Sequence, residues 1–184
     1  MKKQEKPRKP EQNPSMLGVY NNFPETVHGF ACFTSSISIK GLQQVIVTTL
    51  QKLNNENFSL EAITDPSVPQ CTVSFEFGIA EAGDFNYLDT EEADRTLKTI
   101  RKEAFQTMDF LCAIQYYRTK KESKAPLRFD YYMLRFTFNE NLIRAQVFHE
   151  RGPRHVTPED LVNFTVNKLN ETSTKKILKF VDSP

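Results

Sequence analysis

The alternation of apolar and polar positions divides this chain into segments of two different periods. From Cys71 to Ala80 the run CTVSFEFGIA sets Val73, Phe75, Phe77 and Ile79 against Thr72, Ser74, Glu76 and Gly78. That period of two predicts a strand with one buried face. Between Leu42 and Leu53 the positions Leu42, Val45, Ile46, Thr49, Leu50 and Leu53 recur at helical spacing. This is the stripe of an amphipathic helix with Ser38 as its cap, and it leaves Gln43, Gln44, Gln51 and Lys52 facing water.

The remaining segments follow by the same reasoning. TVHGFACFTSSI carries small apolar and aromatic residues on both parities, as a strand covered on both faces would. NFSLEAI, 57–63, reads as a short strand broken by Asp65-Pro66 and Val68-Pro69. A second helix opens after Asp89 or Thr90, with Glu91, Glu92 and Asp94 near its unpaired amides and Ala93, Leu97, Ile100, Ala104 and Met108 inside. FLCAIQYY, 110–117, is rich in aromatics and reads as a strand.

In LRFDYYMLRFTF the apolar positions are Leu127, Phe129 and Tyr131, then Tyr132, Leu134, Phe136 and Phe138. Such a change of parity predicts a β-bulge at Tyr131-Tyr132. Asn139-Glu140-Asn141 forms a turn, and LIRAQVFHER returns with Ile143, Ala145, Val147 and His149 on one face. A last helix starts at Thr157 and carries Leu161, Val162, Thr165, Val166 and Leu169.

Strand, helix, one or two strands, helix, three-stranded meander and helix make an α+β fold. The expectation is a mostly antiparallel sheet of about five or six strands with three helices predominantly on one face, a two-layer sandwich. Residues 1–15 are polar and proline-rich and predict a disordered tail. Residues 16–176 form a single domain, and 177–184 are a C-terminal segment that Ile177, Leu178, Phe180 and Val181 could tether. The open face of such a sheet must be polar, covered by segments 16–26 and 176–181, or paired with a second copy.

Composition narrows the function classes. Across 184 residues, 24 Lys and Arg nearly balance 23 Asp and Glu, without the cationic excess of a dedicated nucleic-acid binder. Fifteen phenylalanines and six tyrosines predict an aromatic core. Neither G-x-G-x-x-G nor G-x-x-x-x-G-K-[ST] occurs, which removes those two modes of nucleotide binding. Cys32, Cys71 and Cys112 are odd in number, far apart and set in apolar stretches, as reduced structural thiols would be. No run of about 18 apolar residues occurs, so the expectation is a cytoplasmic protein with no membrane partner.

Candidate chemistry concentrates at FHERGPRH, residues 148–155. A metal would use His149, Glu150 and His155, but the histidines are not at helical spacing, Gly152-Pro153 breaks any helix, and consecutive strand residues face opposite ways. No metal and no cofactor is therefore expected. An anion or other ligand would use Arg151, Arg154 and His155, with His149 close by, at the mouth of the last helix. Against this, Thr157-Pro158-Glu159-Asp160 completes that helix start internally.

A second candidate is the basic hairpin formed by Arg118, Lys120, Lys121, Lys124 and Arg128 against Glu122. With Tyr116, Tyr117, Tyr131 and Tyr132 beside it, it has the composition of a surface that tracks phosphates and stacks bases. His28 and Cys32 would share a strand face about 13 Å apart, too far for proton transfer. No catalytic residue is assigned. The function expected is a non-catalytic intracellular binding or regulatory domain that meets a protein partner, or a second copy, through a sheet face or edge. The alternatives are an RNA- or phosphate-ligand binder using the basic hairpin and a metal-dependent enzyme at the His149–His155 corner.

Overall fold

The computed structural model describes residues 16–54, 56–65, 71–118 and 128–181. The expected disordered tail and the lysines of the basic hairpin lie outside the described residues. The strands are β1 (Met16–Val19), β2 (Gly29–Ser35), β3 (Asn57–Ser59), β4 (Cys71–Glu81), β5 (Asp84–Tyr87), β6 (Thr107–Arg118), β7 (Arg128–Asn139), β8 (Leu142–Arg151) and β9 (Leu178–Phe180). The helices are α1 (Ile39–Leu53), α2 (Thr90–Lys102) and α3 (Pro158–Asn170).

The α+β class stands, and the sheet is larger than expected. Nine antiparallel strands follow the order β1-β5-β4-β6-β7-β8-β2-β9, with β3 also on β4. The strands missing from the sequence reading are the short ones. β1, β5 and β9 have only three or four residues, and pairing rather than periodicity defines them. The β4–β5 hairpin turns through Ala82 and Gly83, both at positive φ (49° and 90°), without the Asn-Gly or Asp-Gly signature of such turns. The segment 57–63 is strand only to Ser59 and then a single 3-10 turn over Leu60–Ala62. The α2 stripe ends at Lys102, so Ala104 falls in the connection and Met108 in β6.

The helix starts are set by local chemistry. Ser38, Asp89 and Thr157 each accept a hydrogen bond from an amide of the first turn, at Gly41, Glu92 and Asp160 respectively, and Pro158 needs no partner at the first helical position.

One apolar core joins the helices to one face of the sheet. Odd positions of β4 (Val73, Phe75, Phe77, Ile79), even positions of β6 (Met108, Phe110, Cys112, Ile114, Tyr116) and of β7 (Tyr132, Leu134, Phe136, Phe138), and odd positions of β8 (Ile143, Ala145, Val147) all belong to it. Leu42, Ile46, Leu50, Ala93, Ile100, Leu161, Val162 and Val166 close it from the helix side. Ile177 and Leu178 also enter this core, so the C-terminal tether takes the form of an edge strand on β2.

Gln43 departs from its expected exposure. It is fully buried and acts as a piece of backbone, donating from Nε2 to the Phe105 carbonyl (2.7 Å) and accepting from the Phe105 amide (3.0 Å). Asn54 likewise ties the end of α1 to Leu88 and Phe77, and Asn170 ties the end of α3 to both main-chain groups of Leu178. Lys-Leu-Asn occurs at both 52–54 and 168–170, and in each the asparagine ties a helix end to main-chain groups of a neighbouring segment.

The outer face of the sheet is crossed by residues 20–28 on their way from β1 at one side to β2 at the other. Asp109 and Arg135 lie opposite each other on β6 and β7 and form two 2.7 Å bonds. The Tyr20 hydroxyl donates to Asp109, and Arg135 lies 4.7 Å from the ring centre of Phe23. Beneath this strap Phe85 and Leu111 are buried. Burial and the Asp109 carboxylate raise the Tyr20 hydroxyl above its ordinary pKa, while the hydrogen bonds to Asp109 raise that of Arg135. Of the expected cover 16–26, residues 20–26 lie over part of the open face, whereas 16–19 and 178–180 are strands that extend the sheet.

Replacing Gln43 by Ala leaves the amide and carbonyl of Phe105 without partners in a buried site. The expected loss of stability in urea denaturation is about 2–4 kcal/mol, whereas the same change at solvent-facing Lys52 is expected to cost under about 0.5 kcal/mol.

Candidate functional site

The corner 148–155 is organised by a residue that sequence reasoning placed on the outside. Asp130 of β7 is fully buried and lies on the same face as Tyr132, Leu134, Phe136 and Phe138. The apolar parity of β7 therefore does not flip; the even positions from Asp130 to Phe138 face the helices, and Phe129 and Tyr131 face outward. The register shift does fall at Tyr131/Tyr132. Its extra residue is Glu150 on the neighbouring strand, since Tyr131 pairs with Arg151 and Tyr132 with His149.

Four donors converge on this carboxylate. Oδ1 accepts from the Arg154 amide at 2.7 Å and lies 3.0 Å from His149 Nε2. Oδ2 accepts from the Tyr116 hydroxyl at 2.6 Å and the His155 amide at 3.0 Å. Removing a carboxylate from water costs several kcal/mol unless charge-assisted bonds offset it, and here both oxygens are doubly satisfied. Burial first, and the Asp130 charge second, hold the Tyr116, Tyr132 and Cys112 side chains well above their usual pKa. Tyr116 therefore stays a donor.

The backbone bends to suit. Gly152 has φ 113°, and a Cβ there would stand 2.3 Å from the Phe129 carbonyl oxygen and 2.4 Å from Asp130 Oδ1. Arg154 adopts φ 58°, which points its amide and that of His155 at one carboxylate, as in an anion-binding nest. The Tyr132 hydroxyl then donates to the Val156 carbonyl, and α3 begins two residues later. On the other side, the His149 amide donates to His28 Nδ1 (2.9 Å), and the His28 ring stacks on Phe148.

The expected ligand residues are thus separated. His149 and His155 both belong to the Asp130 cluster, His149 through its ring and His155 through its amide, with the His155 ring edge-on to Tyr116. The His149 imidazole and the amides of Arg154 and His155 hold the protein's own anion, and the N-terminus of α3 is capped by Thr157. Among the described residues no group of three His, Cys, Asp or Glu side chains is arranged to hold a metal ion. Arg151 stands on the other face, its guanidinium 4.1 Å from the ring centre of Tyr131.

That outer position is the second feature of the site. Phe129 and Tyr131 stand side by side with nearly parallel rings, centroids 6.2 Å apart and planes 17° apart. With Arg128, Arg151, Gly152 and Pro153 they line an open depression of about 360 Å³. Arg118 ends β6 at the same end of the sheet and is exposed, as is Arg128. Lys120, Lys121 and Lys124 of the expected basic hairpin lie outside the described residues. Cationic side chains at this end were legible in the sequence. The pairing of Tyr131 with Arg151 was not, because it depends on the bulge.

No family model, curated protein or solved structure matches the chain.

Two substitutions check the Asp130 hub. Asp130→Ala, which strands four donors in a dry site, is expected to lower stability by about 3–5 kcal/mol, read by urea denaturation. Gly152→Ala is expected to cost more than about 1 kcal/mol from the positive φ and the two close contacts, with the loss concentrated in hydrogen-exchange protection of 149–157.

Proposed function

We propose that this protein is a non-catalytic binding domain that takes an anionic ligand with a flat face on the outer side of its sheet, at Phe129, Tyr131, Arg151 and Arg128. The observation that carries this reading is the Arg151–Tyr131 stack beside Phe129 in an open depression. An exposed aromatic surface edged by guanidinium groups suits ligands with a π face and a negative charge. The acid–base groups nearby support binding over turnover, because Asp130, Tyr116, Tyr132 and His149 are all engaged with one another or with the main chain. Three cysteines without disulfide partners fit a reducing, cytoplasmic setting.

A second reading, self-association through a sheet edge, has its own observation. Phe30, Phe180 and Val181 are exposed at the β2–β9 edge, and Met16 and Val19 at the β1 edge. Lys179 on β9 opposes pairing of two such edges, so the face is preferred.

Amide NMR of the full chain, titrated with nucleoside monophosphates, aryl carboxylates and an acidic peptide, tests the first reading. At least one probe is expected to shift the resonances of 128–131 and 151–153. Shifts confined to other surfaces, or none with any probe, would overturn it. The molecular mass in solution tests the second, which a monomer at high concentration would exclude.

A further inference from the structure

Resting on that reading, we propose that the ligand is a single-stranded nucleic acid, with bases stacked on Phe129 and Tyr131 and phosphates taken by Arg151 and Arg128.

The rings supply the first reason. Alternate residues of a strand point to one face, so Phe129 and Tyr131 stand side by side, Tyr131 between Ala113 of β6 and Arg151 of β8 and Phe129 beside Gln115 of β6. Such a preset pair lowers the entropy lost on binding. Every base has a π face, so stacking of this kind is tolerant of sequence. Phe129 is 36 % exposed, a large share for an aromatic ring set in a strand.

Charge supplies the second. Arg128 and Arg151, which both line the depression, take part in none of the four salt bridges among the described residues. Arg151 keeps its donors available at the rim while its plane rests on Tyr131. Of the nearby acids, Asp130 makes its four bonds on the opposite face, Glu150 is exposed at the bulge, and Glu76 shares the outer face but is separated from Tyr131 by Ala113 of β6. Asp109 is already neutralised by Arg135. A local cationic strip therefore exists on a chain whose formal net charge is only +1.

The third reason excludes other occupants. An acidic peptide that adds itself as a strand needs a free sheet edge, and β7 is paired along both sides at Tyr131. A duplex hides its base faces and would reach only the arginines. Among the described residues the strap meets Phe85, Asp109, Arg135 and Phe148, while the rings of Phe129 and Tyr131 meet each other and Arg151.

Fluorescence anisotropy with the full chain tests this, using labelled oligouridylate, oligodeoxythymidylate and a duplex of equal length as probes. Single strands are expected to bind more tightly than the duplex, with a slope of log K against log salt of about −1 to −2 for two or three phosphate contacts. Phe129→Ala and Tyr131→Ala should each weaken binding on the order of tenfold, and Arg151→Ala should make the slope shallower by about 0.7. Arg144→Ala, an exposed cation elsewhere on β8, should leave binding unchanged. Preference for the ribose or the deoxyribose strand would name the source of the ligand, and equal binding would mean that only bases and phosphates are read. Absence of binding to both single strands, or binding indifferent to Phe129 and Tyr131, would overturn the proposal. If oligonucleotides fail while an acidic peptide or an aryl carboxylate still shifts residues 128–131 and 151–153 by NMR, the nucleic-acid assignment falls and the binding face remains.

Discussion

The carboxylate of Asp130 imposes the condition that the rest of this corner satisfies. A charge at full burial must receive hydrogen bonds on both oxygens, and the sheet by itself supplies only Tyr116 and His149. The other two donors are main-chain amides, those of Arg154 and His155. They reach the carboxylate because Glu150 adds a residue to β8 and Gly152 and Arg154 accept positive φ. The resulting turn carries Val156 under the Tyr132 hydroxyl and launches α3 across the helix-side face. One buried acid thereby fixes where the sheet ends and where the last helix begins.

The same bulge shapes the opposite face. By shifting β8 one residue against β7 it brings Arg151 level with Tyr131, so that the guanidinium lies on the ring. Farther along β7 the outer face is closed by Tyr20 and Phe23 on the Asp109–Arg135 pair. The two ends of β7 therefore have different outer surfaces, one clamped under the N-terminal strap and one open, aromatic and cationic. The proposed binding strip lies on the other face of the corner that the four Asp130 bonds tie together.

Elements governed by neighbours in sequence were legible from the chain. The alternation in β4, the stripe of α1, the turn at Asn139–Asn141 and the caps Ser38, Asp89 and Thr157 depend on residues a few positions apart, and the structure shows them where local chemistry puts them. The basic and aromatic residues around 116–131 were also visible as a composition, and the histidines of 148–155 as a cluster. Parity misled only where a polar residue occupies an inward position. Asp130 and Gln43 read as solvent-facing, because burial of either depends on partners distant in sequence: Arg154 and His155 for one, Phe105 for the other.

By itself, then, the sequence determined the α+β class, the three helices and the central strands, since hydrophobic periodicity and capping act over a few residues and need no knowledge of the partner. Only the tertiary structure decided the nine-stranded sheet, the inward Asp130 and the outward stack of Arg151 on Tyr131. Short edge strands exist only through the strands they pair with, and a buried charge is tolerated only once donors from remote segments surround it.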